Sequence, residues 1–196
     1  GGSISSSLTK KYIASDRIDI PNPTKKGYTF VGWISSNDSS PKVDYVIGPG
    51  AFGNLTLTAV WNANSYTINY NPAGGTVDSS TQKVFYDSFF KLKTPVRQGY
   101  KFLGWYNNNV KLEDGTWKHT SDFSLVAKWE IVTFTITYKL NGGVNHSSNP
   151  TSYNVSSVVE IKTPTKQGYT FTGWKIDDKD IVSVYTIKSG STGNKT

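Results

Sequence analysis

The chain contains no cysteine. Disulfide bridges and cysteine-ligated metal sites are therefore excluded, so any small domain must be held together by packing alone. Methionine is missing too, even at position 1, which predicts a fragment or a processed chain. No apolar run approaches the roughly 20 residues that a membrane-spanning helix needs. We therefore expect no membrane insertion of these 196 residues.

Groups suited to catalysis are scarce. The only histidines, His119 and His146, lie in polar stretches with no Cys, His or Asp cluster around them. A histidine that acts as a base or a metal ligand needs such partners. The acidic run at 177–180 lacks the spacing of an EF-hand loop. We therefore predict no enzyme, no metal and no cofactor.

Helical periodicity is also absent, because no stretch keeps apolar residues at helical spacing over about 11 to 18 positions. Short alternating runs such as 66–70 and 123–129, separated by Gly, Pro and Asn, predict β-rich modules instead. One short helical turn is expected at 87–91, where Asp87 and Ser88 could cap it. Residues 153–161 are expected to be extended throughout.

What the chain does contain is a seven-residue signature, Gly-Tyr-x-Phe-x-Gly-Trp, in three copies. Copies separated by roughly 70 residues indicate an array of small modules. We place the repeats at 1–62, 63–130 and 131–196. The signature residues are Gly27, Tyr28, Phe30, Gly32 and Trp33; Gly99, Tyr100, Phe102, Gly104 and Trp105; and Gly168, Tyr169, Phe171, Gly173 and Trp174.

The two end repeats are expected to be incomplete. Gly1-Gly2 aligns with the turn Gly142-Gly143, so the first repeat lacks the strand before that turn; a linker remnant is the alternative interpretation. The third repeat lacks its closing strand. Open sheet positions are templates for pairing with another chain. We predict self-association through these edges, or disorder in the end repeats.

Strand alternation places the Tyr and Phe of each signature on the core side, with Thr29, Lys101 and Thr170 towards solvent. Strict alternation would expose the Trp. A glycine within a strand often marks a bulge, so we predict a bulge or kink at each second signature glycine that turns the Trp inward. The alternative is an exposed platform of tryptophans that stacks on sugars.

The net charge of +7 is mostly due to lysine. It could attract anionic glycans or nucleic acid, but lysines that keep exposed strands soluble are the simpler interpretation, and we predict no nucleic-acid partner. A basic residue precedes each signature: Lys25, Arg97 and Lys166. These are either weak ligand contacts multiplied by avidity or solvated turns. Trp117 is likewise either a ligand platform or a core residue.

Three features together resemble a known family: a Tyr-x-Ile-x-Tyr strand before a Gly-Gly turn, the motif Pro-x-[Lys/Arg]-x-Gly-Tyr-x-Phe-x-Gly-Trp, and a closing Leu-x-Ala-x-Trp strand. They are similar to the Listeria–Bacteroides repeat, the type of the B repeat of internalin B. The resemblance implies a β-rich α+β fold of tandem β-grasp-like, ubiquitin-like modules with little helix. It also implies secreted or wall-attached bacterial surface proteins, and no catalytic residues.

Three functions are compatible with these observations. The leading one is a spacer or stalk segment of a bacterial cell-surface protein. The second is an adhesin module that binds a host glycan or protein, or a cell-wall polymer, through its basic and aromatic residues. The third is an accessory region of an enzyme whose catalytic domain lies elsewhere.

Overall fold

The computed structural model describes residues 1–4, 11–177 and 180–196. Within these ranges there are short β-strands and no helix. The strands are β1 (Ile18–Asp19), β2 (Tyr28–Ile34), β3 (Val46–Ile47), β4 (Thr58–Ala63), β5 (Ser65–Asn71), β6 (Thr81–Phe85), β7 (Phe89–Phe90), β8 (Tyr100–Asn107), β9 (Val110–Leu112), β10 (Gly115–Thr116), β11 (Phe123–Ile131), β12 (Thr133–Thr135), β13 (Ser152–Asn154), β14 (Val159–Ile161) and β15 (Tyr185–Ile187).

The β-rich character expected from the sequence is confirmed, but the α+β class is not supported. Apolar residues alternate with period two in the long strands, as in the exposed–buried sequence of β11. A helix would need an apolar stripe at a period near 3.6. The finer β-grasp-like arrangement stays a prediction.

The prediction of a helical turn at 87–91 is wrong. Asp87 has a φ of 63°, in the left-handed region, and the chain then enters β7. Within β7, Phe89 is exposed and Phe90 is buried, which is the alternation of a strand. β7 pairs with β10, so the backbone hydrogen bonds of this segment go to another strand.

The continuous extended segment expected at 153–161 is also wrong, because β13 ends at Asn154 and β14 begins at Val159. The Asn154 side-chain oxygen accepts a hydrogen bond from the Ser156 backbone N–H at 3.0 Å. This contact forms an Asx turn, which competes with strand pairing.

The described chain divides into two compact units. Unit 1 comprises Gly1–Tyr70, Ser79–Leu92 and Glu113–Leu125; unit 2 comprises Asn71–Asp78, Lys93–Leu112 and Val126–Thr196. The division passes through the second repeat and through β11. In unit 1, antiparallel pairs join β1 to β3, β2 to β4, β5 to β6 and β7 to β10.

In unit 2, β8 pairs antiparallel with both β11 and β9, β12 with β13, and β14 with β15. Strands β11, β8 and β9 therefore follow one another in one sheet, and the other sheets described in this unit have two strands. The small sheets are what short strands with frequent turns would build.

Aromatic and branched residues form separate cores in the first and the third repeat. The first core contains Ile20, Trp33 and Tyr45, and the third contains Ile136, Tyr153, Ile161 and Ile187. The second repeat buries Ile68, Tyr70, Val84, Phe90, Trp117 and Leu125 in unit 1, and Trp105 and Ala127 in unit 2.

The predicted bulges are present at two of the three glycines. The register of β2 against β4 shifts between Phe30 and Gly32, and β8 against β11 shifts in the same place, between Phe102 and Gly104. Both glycines have large positive φ values, 151° and 142°, which a residue with a Cβ rarely adopts. Gly173 has a φ of 150° but lies outside the assigned strands.

The alignment of Gly1-Gly2 with the later Gly-Gly turns is confirmed. A Cβ added at Gly2 would lie 2.7 Å from Trp61 Cζ2, and one at Gly75 would lie 2.6 Å from Trp129 Cζ2. The residue after Gly2, Gly75 and Gly143 forms an antiparallel bridge with the stretch before the signature in every repeat. In the first two repeats the glycine leaves room for the indole of the closing strand.

Candidate functional site: the repeat signature and the repeat junctions

The signature tryptophans are core residues in the first two repeats. Trp105 is 1% exposed and Trp33 is 8% exposed. Trp105 Nε1 donates to the Lys93 carbonyl at 2.7 Å, and Trp33 Nε1 donates to the Pro21 carbonyl at 3.3 Å. Both acceptors lie twelve residues before the tryptophan. The inward orientation follows from the bulge, since the extra residue reverses the alternation after it.

The third signature tryptophan is held differently. Trp174 is half-buried, and its Nε1 has no hydrogen-bond partner among the described residues. The carbonyl twelve residues earlier belongs to Lys162, and it accepts from Asn149 Nδ2 at 2.8 Å. A buried N–H without an acceptor costs about 1–3 kcal/mol, so we expect Trp174 to stabilise its repeat less than Trp105 does.

The three basic residues that precede the signatures lie over the signature tyrosines. The distance to the ring centroid is 3.5 Å for Lys25 Nζ, 3.8 Å for Arg97 Cζ and 4.2 Å for Lys166 Nζ. Cation–π contacts at exposed sites contribute about 0.5–1 kcal/mol each.

Two of these residues also hold the Gly-Gly turn. Arg97 donates to the Ala73 carbonyl at 3.0 Å, and Lys166 donates to the Asn141 carbonyl at 2.8 Å. Their shared position is thus explained by contacts within the repeat. Ligand contact by Lys25, Arg97 and Lys166 stays a prediction.

Trp117 has no exposed surface. Its ring packs edge-on against Phe90 at 5.4 Å and against Phe123 at 5.2 Å between centroids, with His119 at 5.1 Å. A sugar-stacking residue needs an accessible ring face, and this ring has none. Of the two interpretations that the sequence allowed, ligand platform or core residue, the structure shows Trp117 as a core residue.

The first signature glycine brings consecutive repeats into contact. A Cβ added at Gly27 would lie 2.2 Å from the Tyr86 ring, so only glycine permits this approach. The Tyr28 and Tyr86 rings meet edge-on at 5.6 Å. Below we call this contact the first junction; it lies entirely within unit 1.

The Asp87 carboxylate links the two repeats at the first junction. Tyr28 Oη donates to Asp87 Oδ2 at 2.8 Å, and Lys118 pairs with Asp87 Oδ1. The hydrogen bond from Lys118 holds the pKa of Asp87 below its ordinary value. The Asp87 carboxylate, by accepting the phenol hydrogen bond, raises the pKa of Tyr28.

The second junction, within unit 2, uses the equivalent glycine with an apolar partner. A Cβ added at Gly99 would lie 2.5 Å from Val155 Cβ. The Gly99 carbonyl accepts from the Val132 N–H at 2.9 Å, as the Gly27 carbonyl accepts from the Asn64 N–H. Sequence reasoning missed this role, although a glycine present in all three copies was the available signal.

The third signature glycine has the same backbone conformation but no such contact with a described residue. Gly168 has a φ of +76°, like Gly99, and no residue of the described ranges lies within 4 Å of an added Cβ. Gly27 and Gly99 therefore lie at contacts between consecutive repeats, and this distinguishes them from Gly168.

A second charged cluster closes a loop in the first repeat. Asp38 accepts hydrogen bonds from the Ser35 backbone N–H at 2.9 Å, Ser35 Oγ at 2.6 Å and Tyr45 Oη at 3.1 Å, and it pairs with Lys42. The Lys42 ammonium, followed by the Ser35 donors, holds the pKa of Asp38 well below its ordinary value. All groups in this cluster have partners within the loop.

Metal-ligating side chains do not gather within the described ranges, where no three of His, Cys, Asp and Glu lie together. The two histidines have local partners. His119 packs against Trp117 and Phe123, and His146 Nδ1 accepts from the Ser148 N–H at 3.2 Å. Across the same ranges, the structure shows no helix with the length and apolarity to cross a membrane.

Comparison with known proteins identifies the repeats. The family model described as Listeria-Bacteroides repeat domain matches residues 1–60, 66–128 and 134–196. Two proteins of Evansella cellulosilytica, whose names describe them as membrane proteins, are 31% identical over 159 residues and 30% identical over 182 residues. These alignments cover 80% and 87% of this chain, and 24% and 21% of the relatives.

A third relative is Internalin H of Listeria monocytogenes, 37% identical over 86 residues, which is 43% of this chain and 15% of that protein. The chain thus spans about a quarter or less of the length of the curated relatives it matches. No solved structure matches the chain.

Proposed function

Because the chain belongs to the Listeria–Bacteroides repeat family, we propose that it is a non-enzymatic spacer within a bacterial cell-surface protein. Three tandem copies that fill nearly the whole chain support a repeat region. The relative named Internalin H, and the two relatives named as membrane proteins, support an extracellular position attached to the cell wall or membrane.

One observation carries the spacer role: consecutive repeats dock directly through the first signature glycine. Gly27 lies against Tyr86, and Gly99 lies against Val155. Modules that contact their neighbours through equivalent positions resist bending, whereas modules on flexible linkers behave as random coils. A spacer must hold a binding domain at a distance, and direct docking serves this purpose.

Spin-label distances test whether the second junction limits motion. The chain has no cysteine, so Val110→Cys and Val158→Cys, each at a 71% exposed side chain, would be the only labelled sites. We expect a single narrow distance distribution for this pair. Gly99→Ala should broaden it, because the added Cβ would lie 2.5 Å from Val155 Cβ.

Gly168→Ala is the matched control. The two glycines share a φ of +76°, so both substitutions strain the backbone equally, but in the part of the chain that the structure describes only the Cβ added at Gly99 would have a neighbour within 4 Å. Equal distributions for both variants would contradict docking at Gly99 as the source of rigidity.

Binding assays distinguish the spacer from the alternative function, an adhesin that binds through its basic and aromatic residues. We expect no saturable binding of the chain to a glycan array, to purified cell-wall polymer or to host cells. Saturable binding that weakens with salt, and weakens further when Lys25, Arg97 and Lys166 are replaced by Gln, would instead favour an electrostatic adhesin.

A further inference from the structure

The Gly-Gly turns of the second and third repeats share one backbone conformation. In the second repeat Ala73 and Gly74 have φ values of 48° and 87°, and in the third Asn141 and Gly142 have φ values of 49° and 83°. The N–H of the next glycine donates to the carbonyl of the residue before the turn, at 3.0 Å and 2.9 Å respectively. Two positive φ values inside such a turn indicate type I′ geometry. The two turns are therefore a matched pair.

The third turn differs from the second in carrying a side-chain amide directly before a glycine. Asn141-Gly142 is the only Asn-Gly pair in the 196 residues, whereas the second turn has Ala73 at that position. Both Asn141 and Gly142 are exposed, and within the described ranges nothing accepts a hydrogen bond from the Gly142 N–H. Glycine has no Cβ to hinder its own nitrogen. The Gly142 nitrogen can therefore react with the amide carbon of the preceding side chain.

A lysine ammonium contacts the same peptide group. Lys166 Nζ donates to the Asn141 main-chain carbonyl at 2.8 Å, and it lies 4.2 Å from the Tyr169 ring centroid, which helps to hold it there. That carbonyl and the Gly142 N–H belong to one peptide unit. When the unit loses its proton, resonance shares the negative charge with the carbonyl oxygen, and a neighbouring positive charge favours the charged form. Lys166 should therefore make the Gly142 N–H easier to deprotonate.

We propose that Asn141 is a modification site, at which Lys166 promotes loss of the side-chain amide and rearrangement of the main chain to isoaspartate. Water and hydroxide are the only other reactants, so the change needs no enzyme. It does not depend on the spacer role, because it concerns a single turn of the third repeat.

The reaction begins when hydroxide removes the proton from the Gly142 nitrogen. This nitrogen then bonds to Asn141 Cγ, the bond from Cγ to Nδ2 breaks, and Nδ2 takes a proton from water and leaves as ammonia, which regenerates hydroxide. The product is a cyclic succinimide. Water next adds to one of its two carbonyl carbons: opening at Cγ gives aspartate, and opening at the main-chain carbon gives isoaspartate.

Either product changes the third repeat. The new carboxylate lowers the net charge by one and lies beside the Lys166 ammonium. Isoaspartate also adds one atom to the main chain, next to the antiparallel bridge between Val144 and Thr165, whose two hydrogen bonds are 2.7 Å and 2.9 Å long. We expect the amides of this bridge to exchange faster in the isoaspartate form. The second repeat is exempt, because Ala73 has no amide to lose.

Incubation of the folded protein at mildly alkaline pH, followed by peptide mass spectrometry, tests the site. We expect Asn141 to lose its amide before any other asparagine does, with isoaspartate identified by electron-transfer fragmentation. Asn141→Ala recreates the Ala-Gly-Gly sequence of the second turn and should abolish the early acidic species in ion-exchange chromatography. Earlier loss at another asparagine, or persistence of that species in Asn141→Ala, would overturn the site.

Variants of Lys166 test its part in the reaction. Lys166→Gln should slow the loss of amide about fivefold, the effect of a unit charge a few ångströms away in a high dielectric. Lys166→Arg should keep the wild-type rate, because Arg97 makes the equivalent contact to the Ala73 carbonyl at 3.0 Å. Lys139→Gln, at an exposed side chain, carries the same net charge as Lys166→Gln and should stay near the wild-type rate. Equal rates for these two Gln variants would overturn the role of Lys166.

Urea separates the effect of the fold from that of the Asn-Gly sequence. Unfolding removes the contact with Lys166, so the wild-type chain and Lys166→Gln should lose the Asn141 amide at the same rate in urea. A rate ratio that persists in urea would show that the contact is not its cause. Loss of the amide in urea but not in the folded protein would show that the turn protects Asn141, and the proposal would fail.

Ala73→Asn transplants the site into the second repeat. It places an asparagine before Gly74, in a turn with the same φ values and with Arg97 on the same carbonyl. We expect this variant to gain a second site of amide loss, and the rate there should fall about fivefold when Arg97→Gln is added. If Ala73→Asn keeps its new amide while Asn141 loses its own, the turn and its cation are not sufficient and the proposal is wrong.

Discussion

Replacing the signature tryptophan by alanine should destabilise the second repeat far more than the third. Trp105 is 1% exposed and donates a 2.7 Å hydrogen bond to the Lys93 carbonyl. Burial of about 200 Å² at about 25 cal/mol per Å² corresponds to about 5 kcal/mol. Measured Trp→Ala substitutions in cores cost about 3–5 kcal/mol. We expect Trp105→Ala to fall in that range.

Trp174→Ala should cost about 1–3 kcal/mol, for two reasons. The side chain is only half-buried, and its Nε1 lacks a partner within the described residues. Removing an unsatisfied N–H recovers part of the lost packing energy. Its expected cost is therefore about 2 kcal/mol below that of Trp105→Ala.

Hydrogen exchange measured by mass spectrometry is the suitable assay, because neighbouring repeats can open separately and one unfolding midpoint would average them. Peptides from β8 and β11 report on the second repeat, and peptides from β12 to β15 report on the third. Phe52→Ala, at a 92% exposed side chain, is the control and should stay within about 0.5 kcal/mol. Equal costs for the two tryptophans would refute the reasoning from burial and hydrogen bonding.

Two further predictions concern the bulge and the acidic loop. Gly32→Ala should destabilise its repeat more than Gly104→Ala destabilises the second repeat. Both strain a positive φ, at about 1–3 kcal/mol, but the added Cβ would meet the Lys42 backbone N at 2.6 Å in the first case and the flexible end of Lys111 in the second. Equal losses of hydrogen-exchange protection in β2 and in β8 would contradict this. Lys42 lowers the pKa of Asp38 in the folded state. The ionised Asp38 carboxylate should therefore contribute its full share of stability above pH 3.8, the ordinary pKa of the group, and this share should be lost as the pH falls through the lowered pKa. Asp38→Asn should remove that acid-side dependence, and a carboxyl ¹³C titration of Asp38 with an ordinary midpoint would refute the assignment.

Local pattern was sufficient for much of the fold. Period-two alternation identified β5 and β11, and the signature glycines indicated the bulges in β2 and β8. The alternation and the position of a glycine are properties of a few consecutive residues, and for that reason the sequence alone predicts the strands and the bulges. The prediction of one extended segment at 153–161 was wrong for a local reason as well, since the Asn154 side chain accepts a hydrogen bond from the Ser156 backbone N–H and forms a turn between β13 and β14.

Contacts between distant residues could not be read in this way. The sequence does not state that Gly27 meets Tyr86 or that Gly99 meets Val155, because the partners are about 60 positions apart and share no side-chain type. Trp117 illustrates the same limit. Its two interpretations, platform or core, differed only in whether Phe90 and Phe123 would cover the ring, which depends on how β7 and β11 are placed.

The sequence by itself determined the module: a β-rich repeat whose identical signature must serve the same local purpose in each copy, because identical short segments have the same alternation and the same glycine freedom. Tertiary structure decided what each copy touches. Among the described residues, Trp105 is buried and Trp174 is half-buried, and Gly99 has a close neighbour where Gly168 has none. These differences arise from the neighbouring strand or repeat, since burial is a property of surroundings and not of the residue that is buried.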